Sequence, residues 1–132
     1  MHINHATQTI FLHNPKTAGI SVCTWLIEHH GYVERPGDRN AEVPGLNGII
    51  WMHSWVVDPE YQTWLKWCVV REPFARWESY WHFIGRSGWV PDGLDFAEFT
   101  RRHRDWLPKQ VHYLRACDAV ITFENLHAGL AT

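Results

Sequence analysis

The sequence predicts an α/β fold in which a small central parallel sheet is flanked by helices in three layers. Three observations predict it. Short apolar runs recur at Gln8–His13, Ile49–Met52, Trp67–Val70 and Ala119–Phe123, as expected of strands buried on both faces. Between them, apolar residues return at steps of three and four, the spacing of helices packed by one face. The first run also passes into a helix through one tight loop, a join that gathers backbone N–H groups at a single point. With 132 residues, the chain is expected to form one domain spanning 1–132.

In chain order, residues 1–7 are polar and read as a lead-in. Gln8–His13 is the central strand. The helix after the loop covers Gly19–His29, with Val22, Trp25 and Leu26 against the sheet and Gly31 as C-cap. The stretch 32–48 is rich in Gly, Pro and charge and reads as a loop, either touching a substrate or lying plainly at the surface. Ile49–Met52 is a second strand, ending at His53. Asp58 and Pro59 start a short helix to Leu65. Trp67–Val70 is a third strand, followed by a helix over Phe74–Ile84. On that helix Phe74, Trp77, Trp81 and Ile84 share one face, and Arg76, Ser79 and Phe83 a neighbouring one. Asp95 with Glu98 makes a capping box for a helix reaching His103, whose Arg101, Arg102 and Arg104 read as a solvated basic end. A short helix over Lys109–Leu114 and a last strand, Ala119–Phe123, complete the chain's elements.

Composition narrows the function. A net charge of −2 leaves no basic excess to neutralise nucleic acid, so no nucleic-acid partner is expected. No run approaches the ~18 apolar residues of a membrane span. The first residues lack a signal-peptide core. The expected setting is therefore cytoplasmic and reducing, with no membrane partner. Cys23, Cys68 and Cys117 lie in apolar runs and read as buried thiols. No H-E-x-x-H or C-x-x-C pairing points to a metal. Of nine tryptophans, most should pack in the core, leaving one or two for an acceptor cleft.

The loop His13-Asn14-Pro15-Lys16-Thr17-Ala18-Gly19-Ile20-Ser21 is the centre of the functional reading. Loop N–H groups and the first helical turn favour an anion. Lys16 adds a cation, Thr17 and Ser21 add hydroxyls, and Gly19 admits close approach. A plain strand-to-helix turn with a surface lysine is the other reading of the loop alone. The pattern is not G-x-x-x-x-G-K-[ST], because Lys16 precedes Gly19. Further on, Arg71 at a strand end and Ser79 on the next helix are placed to clamp one phosphate from two sides. An ion pair of Arg71 with Glu72 or Glu78 is the alternative.

These two segments carry a resemblance. Phe11 to Ser21 resembles the 5′-phosphosulfate loop of the sulfotransferases, most like the carbohydrate branch (heparan sulfate 2-O-like), roughly F-x-H-x-P-K-T-[AG]-[GS]-T-S. Asn14 and Ile20 depart from it, standing where an aliphatic residue and a threonine are usual. Val69 to Trp81 resembles that family's 3′-phosphate motif, roughly V-[LV]-R-[DE]-P-x-x-R-x-x-S-x-[YW]. Phe123-Glu124-Asn125-Leu126 is similar to an F-E-[DN]-L segment found there. The resemblance implies a P-loop-like fold and 3′-phosphoadenosine 5′-phosphosulfate as co-substrate, with no metal. It implies that Pro15, Lys16, Thr17, Ala18, Gly19, Ile20 and Ser21 hold the 5′ end, and Arg71 and Ser79 the 3′-phosphate. Lys16 would stabilise the leaving group and His53 would be the base, in a segment of the H-x-x-x-x-D kind; Glu34 or Glu42 is the fallback base. The acceptor would be a hydroxyl on a small molecule or glycan. A non-catalytic nucleotide-binding module and an NTP-dependent phosphotransferase are the alternatives.

Overall fold

The protein is described by a computed structural model, which covers residues 1–35, 55–89 and 93–131. Among these, five strands form one sheet: β1 (His2–Asn4), β2 (Thr9–Leu12), β3 (Val33–Glu34), β4 (Leu65–Val70) and β5 (Ala119–Thr122). Five α-helices surround it: α1 (Gly19–His30), α2 (Pro73–Ser87), α3 (Phe96–His103), α4 (Gln110–Ala116) and α5 (Leu126–Leu130). The strand order is β3-β1-β2-β4-β5. Strands β2, β4 and β5 are parallel, with Leu12 level with Cys68 and Val70 level with Thr122. Strand β1 is antiparallel to both β2 and β3. The sheet is therefore mixed, and only its β2-β4-β5 half has the expected parallel form.

Alternation along the strands builds the layers. Ile10, Leu12 and Cys68 point to one face, where Met1, Ile3, Val57, Tyr61 and Tyr113 join them and Trp55 and Trp64 pack alongside. Phe11, Trp67 and Val69 point to the other, against Val22, Cys23 and Leu26 of α1, with Leu126 and Leu130 of α5 packed beside them. Both central strands thus bury both faces, which is why they read as unbroken apolar runs. A third cluster, Tyr80, Ile84, Phe99 and Leu107, joins α2 to α3.

Several elements differ from expectation. The presumed lead-in is strand β1, with Met1 and Ile3 in the core. Its polar residues hid it, yet they too are buried: the Asn4 amide donates to the His30 carbonyl at 2.6 Å and its oxygen accepts from Thr7 N–H at 3.0 Å. Pro59 to Tyr61 makes one 3-10 turn rather than a helix to Leu65. Asp58 does not cap it, because its carboxylate accepts from Arg35 Nε at 3.1 Å. Helix α2 starts a residue earlier and ends later than its apolar pattern suggested. Glu72 caps it by accepting from the N–H groups of Phe74 and Ala75, and Gly88, in the left-handed region, ends it. Gly31 closes α1 as expected, with φ 67° and its N–H on the Leu26 carbonyl. Asp95 caps α3 through Glu98 N–H, while the Glu98 carboxylate pairs with Arg101 and Arg102. The three cysteines are free thiols. The expected strand Ile49–Met52 lies outside the described residues.

Candidate functional site

Neighbouring parallel strands bring two chain segments to one edge. The loop 13–18 leaves β2 and Arg71 leaves β4 at the same end of the sheet, about 4.8 Å apart in strand spacing. In open α/β sheets this carboxyl edge is where ligands gather.

The loop is bent by two left-handed residues, Lys16 (φ 66°) and Ala18 (φ 64°). For residues with a Cβ, that conformation costs roughly 1–2 kcal/mol each. Buried hydrogen bonds hold it. Thr17, fully buried, donates its hydroxyl to the Asn14 carbonyl at 2.7 Å. The Thr17 hydroxyl proton is thus used inside the loop. Gly19 has no positive φ; its missing Cβ makes room for the His13 ring, since an added Cβ would stand 1.9 Å from His13 Cδ2 and Nε2. His13 is a packing residue here, its ring stacked on Phe11.

Helix α1 consequently begins bare. No side chain caps it and no acid occupies its first turn. Its first internal bond runs from Val22 N–H to the Ala18 carbonyl at 3.0 Å, leaving the preceding N–H groups without helical partners. Ile20 is 73% exposed and Ser21 is exposed, so the turn faces solvent.

Helix α2 supplies the wall opposite. Arg76 is 5% exposed and donates from Nε to the Pro15 carbonyl, from Nη1 to the Pro108 carbonyl and from Nη2 to Asn14 Oδ1, each at 2.9 Å. Burial lowers its pKa to about 10. Two turns on, Phe83 lies under the Lys16 ammonium, 4.4 Å from ring centroid to Nζ. Ser79 sits three residues after Arg76 and four before Phe83, so helical spacing puts it on the same stripe facing the loop. Arg86 continues that stripe. The Lys16 pKa is lowered, first by partial burial and then by the charges of Arg86 and Arg71. Both guanidinium groups are thus near enough to Lys16 to repel its ammonium. Among the described residues, no carboxylate forms an ion pair with Lys16, Arg71, Arg76 or Arg86.

Arg71 is held by its backbone. Gln110 at the start of α4 accepts from Arg71 N–H at 2.9 Å and donates to the Arg71 carbonyl at 2.7 Å. The guanidinium lies over Phe123, 4.5 Å from the ring centroid. Glu72 is committed to capping α2, and Glu124 accepts from Glu72 N–H at 3.1 Å. The segment Phe123-Glu124 therefore supports the Arg71 turn.

The structure thus brings together Pro15, Lys16, Thr17, Ala18, Gly19, Ile20, Ser21, Arg71 and the Ser79 stripe. His53 and Glu42 lie outside the described residues. Glu34 is exposed on β3, with β1 between it and β2. Sequence reading missed Gln110, Arg86 and Phe123 as site residues. Arg86 could have been found as the next residue of the Arg76-Ser79-Phe83 stripe. Gln110 carries no local signal, because its partners are 39 and 96 residues away. The broad groove on the α1–α5 side, lined by Trp25, Tyr32, Trp67, Ile121 and Leu130, includes none of these cations. Among the described residues no cluster of His, Cys, Asp and Glu could hold a metal ion, and no helix is long and apolar enough to cross a membrane. In comparisons with family models, curated proteins and solved structures, the chain matches none.

Proposed function

We propose that this protein is a P-loop-like sulfotransferase, which moves a sulfuryl group from 3′-phosphoadenosine 5′-phosphosulfate to an acceptor hydroxyl. The observation that carries the reading is a cationic edge that, among the described residues, has no ion-paired carboxylate. The partly buried Lys16 feels the charges of Arg86 and Arg71, α1 starts without a side-chain cap, and Lys16 and Arg71 belong to the two resembled motifs. An uncapped first turn beside an ammonium suits a phosphate. A guanidinium near a hydroxyl stripe suits a second one. A doubly phosphorylated nucleotide would satisfy both.

In this reading the first turn of α1 and the loop N–H groups hold the 5′ end, and Arg71 with Ser79 holds the 3′-phosphate. The donor supplies an activated sulfuryl group when bound. Lys16 stabilises charge where the leaving phosphate forms. His53 takes the acceptor proton, an imidazole having an ordinary pKa near about 6.5. Phe83 and Trp89, 41% and 53% exposed with ring centroids 6.2 Å apart, offer aromatic surface beside Lys16. Such surface suits the apolar face of a sugar, which favours a carbohydrate acceptor.

Calorimetric titration with adenosine 3′,5′-bisphosphate and with ATP tests the nucleotide. Preference for the bisphosphate is expected; preference for ATP would move the protein to phosphotransferases. Arg71→Ala is expected to weaken bisphosphate binding by about 1.5–3 kcal/mol, the value of a charged hydrogen-bonded partner. His53→Ala should spare that binding and abolish transfer to an acceptor; a wild-type chain that binds but transfers to no hydroxyl would be a binding module only.

A further inference from the structure

We propose that Asn14 and Gln110 form a two-amide relay that couples the two phosphate subsites. The inference rests on the nucleotide reading above and adds two positioning residues to it. Neither is placed against the ligand.

Asn14 is fully buried at the root of the loop. Its Nδ2 donates to the Val69 carbonyl at 2.9 Å and to Gln110 Oε1 at 3.1 Å. Its Oδ1 accepts from Arg76 Nη2 at 2.9 Å. Gln110 Oε1 also accepts from Arg71 N–H, and Nε2 donates to the Arg71 carbonyl. Both amides are therefore locked in one orientation. Turning either round would set N–H against N–H and carbonyl against carbonyl. The Asn14 backbone carbonyl meanwhile takes the Thr17 hydroxyl, the bond that helps fix the left-handed turn.

The consequence is a continuous path of short bonds. It runs from Thr17 through the Asn14 backbone and amide, through Gln110, to both backbone polar groups of Arg71. The loop that receives the 5′ end and the residue that receives the 3′-phosphate cannot move independently. An anion that settles the loop also settles Arg71, so each phosphate finds its partner site in register. Position 14 is where the resembled family has an aliphatic residue, which has no donor or acceptor for this path. The relay is a property of this chain's own residues.

The test uses the whole chain, titrated with adenosine 3′,5′-bisphosphate and with adenosine 5′-monophosphate. The ratio of the two dissociation constants measures what the 3′-phosphate adds. In Gln110→Met, similar in shape but without the amide, that ratio is expected to shrink by about tenfold, within the usual span of coupling between sites. Gln110→Glu keeps the acceptor for Arg71 N–H but loses the donor, and should fall between. Equal weakening for both nucleotides, or an unchanged ratio, would mean that Gln110 is only structural and would overturn the inference. Should neither variant fold, hydrogen exchange in the wild type decides. Saturation with the 5′-monophosphate, which meets only the loop, should slow exchange at the Arg71 amide; unaltered exchange there would equally overturn it. A wild type that binds neither nucleotide defeats the underlying reading, a result distinct from normal binding with an unchanged ratio.

Discussion

Gly19 and His13 show how a single contact shapes the loop. The imidazole is 4% exposed and lies where a side chain on residue 19 would stand, 1.9 Å from an added Cβ. Glycine at this helix start is thus required by the packing of the His13 ring against it. Gly19→Ala must push the ring off Phe11 or lift the first turn of α1. Overpacking of this kind typically destabilises by about 1–3 kcal/mol. Thermal unfolding of the variant should show it. If the cause is the ring, adding His13→Ala should restore most of the loss, a coupling that a double-mutant cycle reads directly. Independent, additive losses would instead assign the effect to backbone strain. The two positive-φ residues of the loop, Lys16 and Ala18, flank the fully buried Thr17, so strain and its restraint are concentrated in three consecutive residues.

Helix α2 is the element on which the site depends, and one stripe of it faces the loop. Arg76 grips the Pro15 carbonyl, Phe83 carries the Lys16 ammonium, and Arg86 repels that ammonium. This stripe was legible from spacing alone, as were the strand-end position of Arg71 and the cap of α3. Of the apolar face drawn through Phe74, Ile84 is buried and Trp77 and Trp81 pack beside it, whereas Phe74 is 62% exposed and the face did not include the buried Arg76 and Tyr80. A pattern of hydrophobicity cannot register an arginine that turns inward to satisfy carbonyls of a distant loop. Strand β1 escaped notice for a related reason, since His2 and Asn4 are buried through partners remote in sequence. Gln110 is the extreme case, a residue whose role exists only once Asn14 and Arg71 are beside it. The stripe also predicts a pH dependence. Burial first, then Arg86 and Arg71, lower the Lys16 pKa in the free protein, and a bound phosphate would raise it again. Bisphosphate affinity should therefore fall as pH rises through the free protein's lowered Lys16 pKa. In Arg86→Gln one source of the depression is gone, so the decline should begin at higher pH. Titrations across alkaline pH would show the displaced limb; superimposable profiles would separate Arg86 from Lys16.

At the scale of the whole molecule, the antiparallel extension of the sheet introduces an acid sensitivity. His2 is 4% exposed, sits between Phe11 and Cys23, and its Nδ1 is 3.2 Å from Cys23 Sγ. Burial pushes the thiol up to about 12, so it keeps its proton and can donate it to a neutral imidazole. Burial, then the nearby terminal amine, lowers the His2 pKa from 6.5 to about 4. Between those two values the unfolded chain binds a proton that the folded chain refuses. Unfolding is thus favoured as pH falls through that window, and the stabilisation present above the unfolded value is lost by the folded one. A shift of this size corresponds to roughly 3 kcal/mol, against a total stability of about 5–15 kcal/mol for a typical domain. Urea unfolding at about pH 7 and about pH 4.5 should show the wild type losing stability on acidification. His2→Gln, neutral at both, should be less stable at the higher pH yet lose less between them. Because β1 joins β3 to β2, protonation of His2 should release both outer strands before the parallel half that carries Lys16 and Arg71. Amide exchange at the lower pH is therefore expected to rise first in residues 2–4 and 33–34. Equal acid losses in wild type and variant would place the trigger at another group.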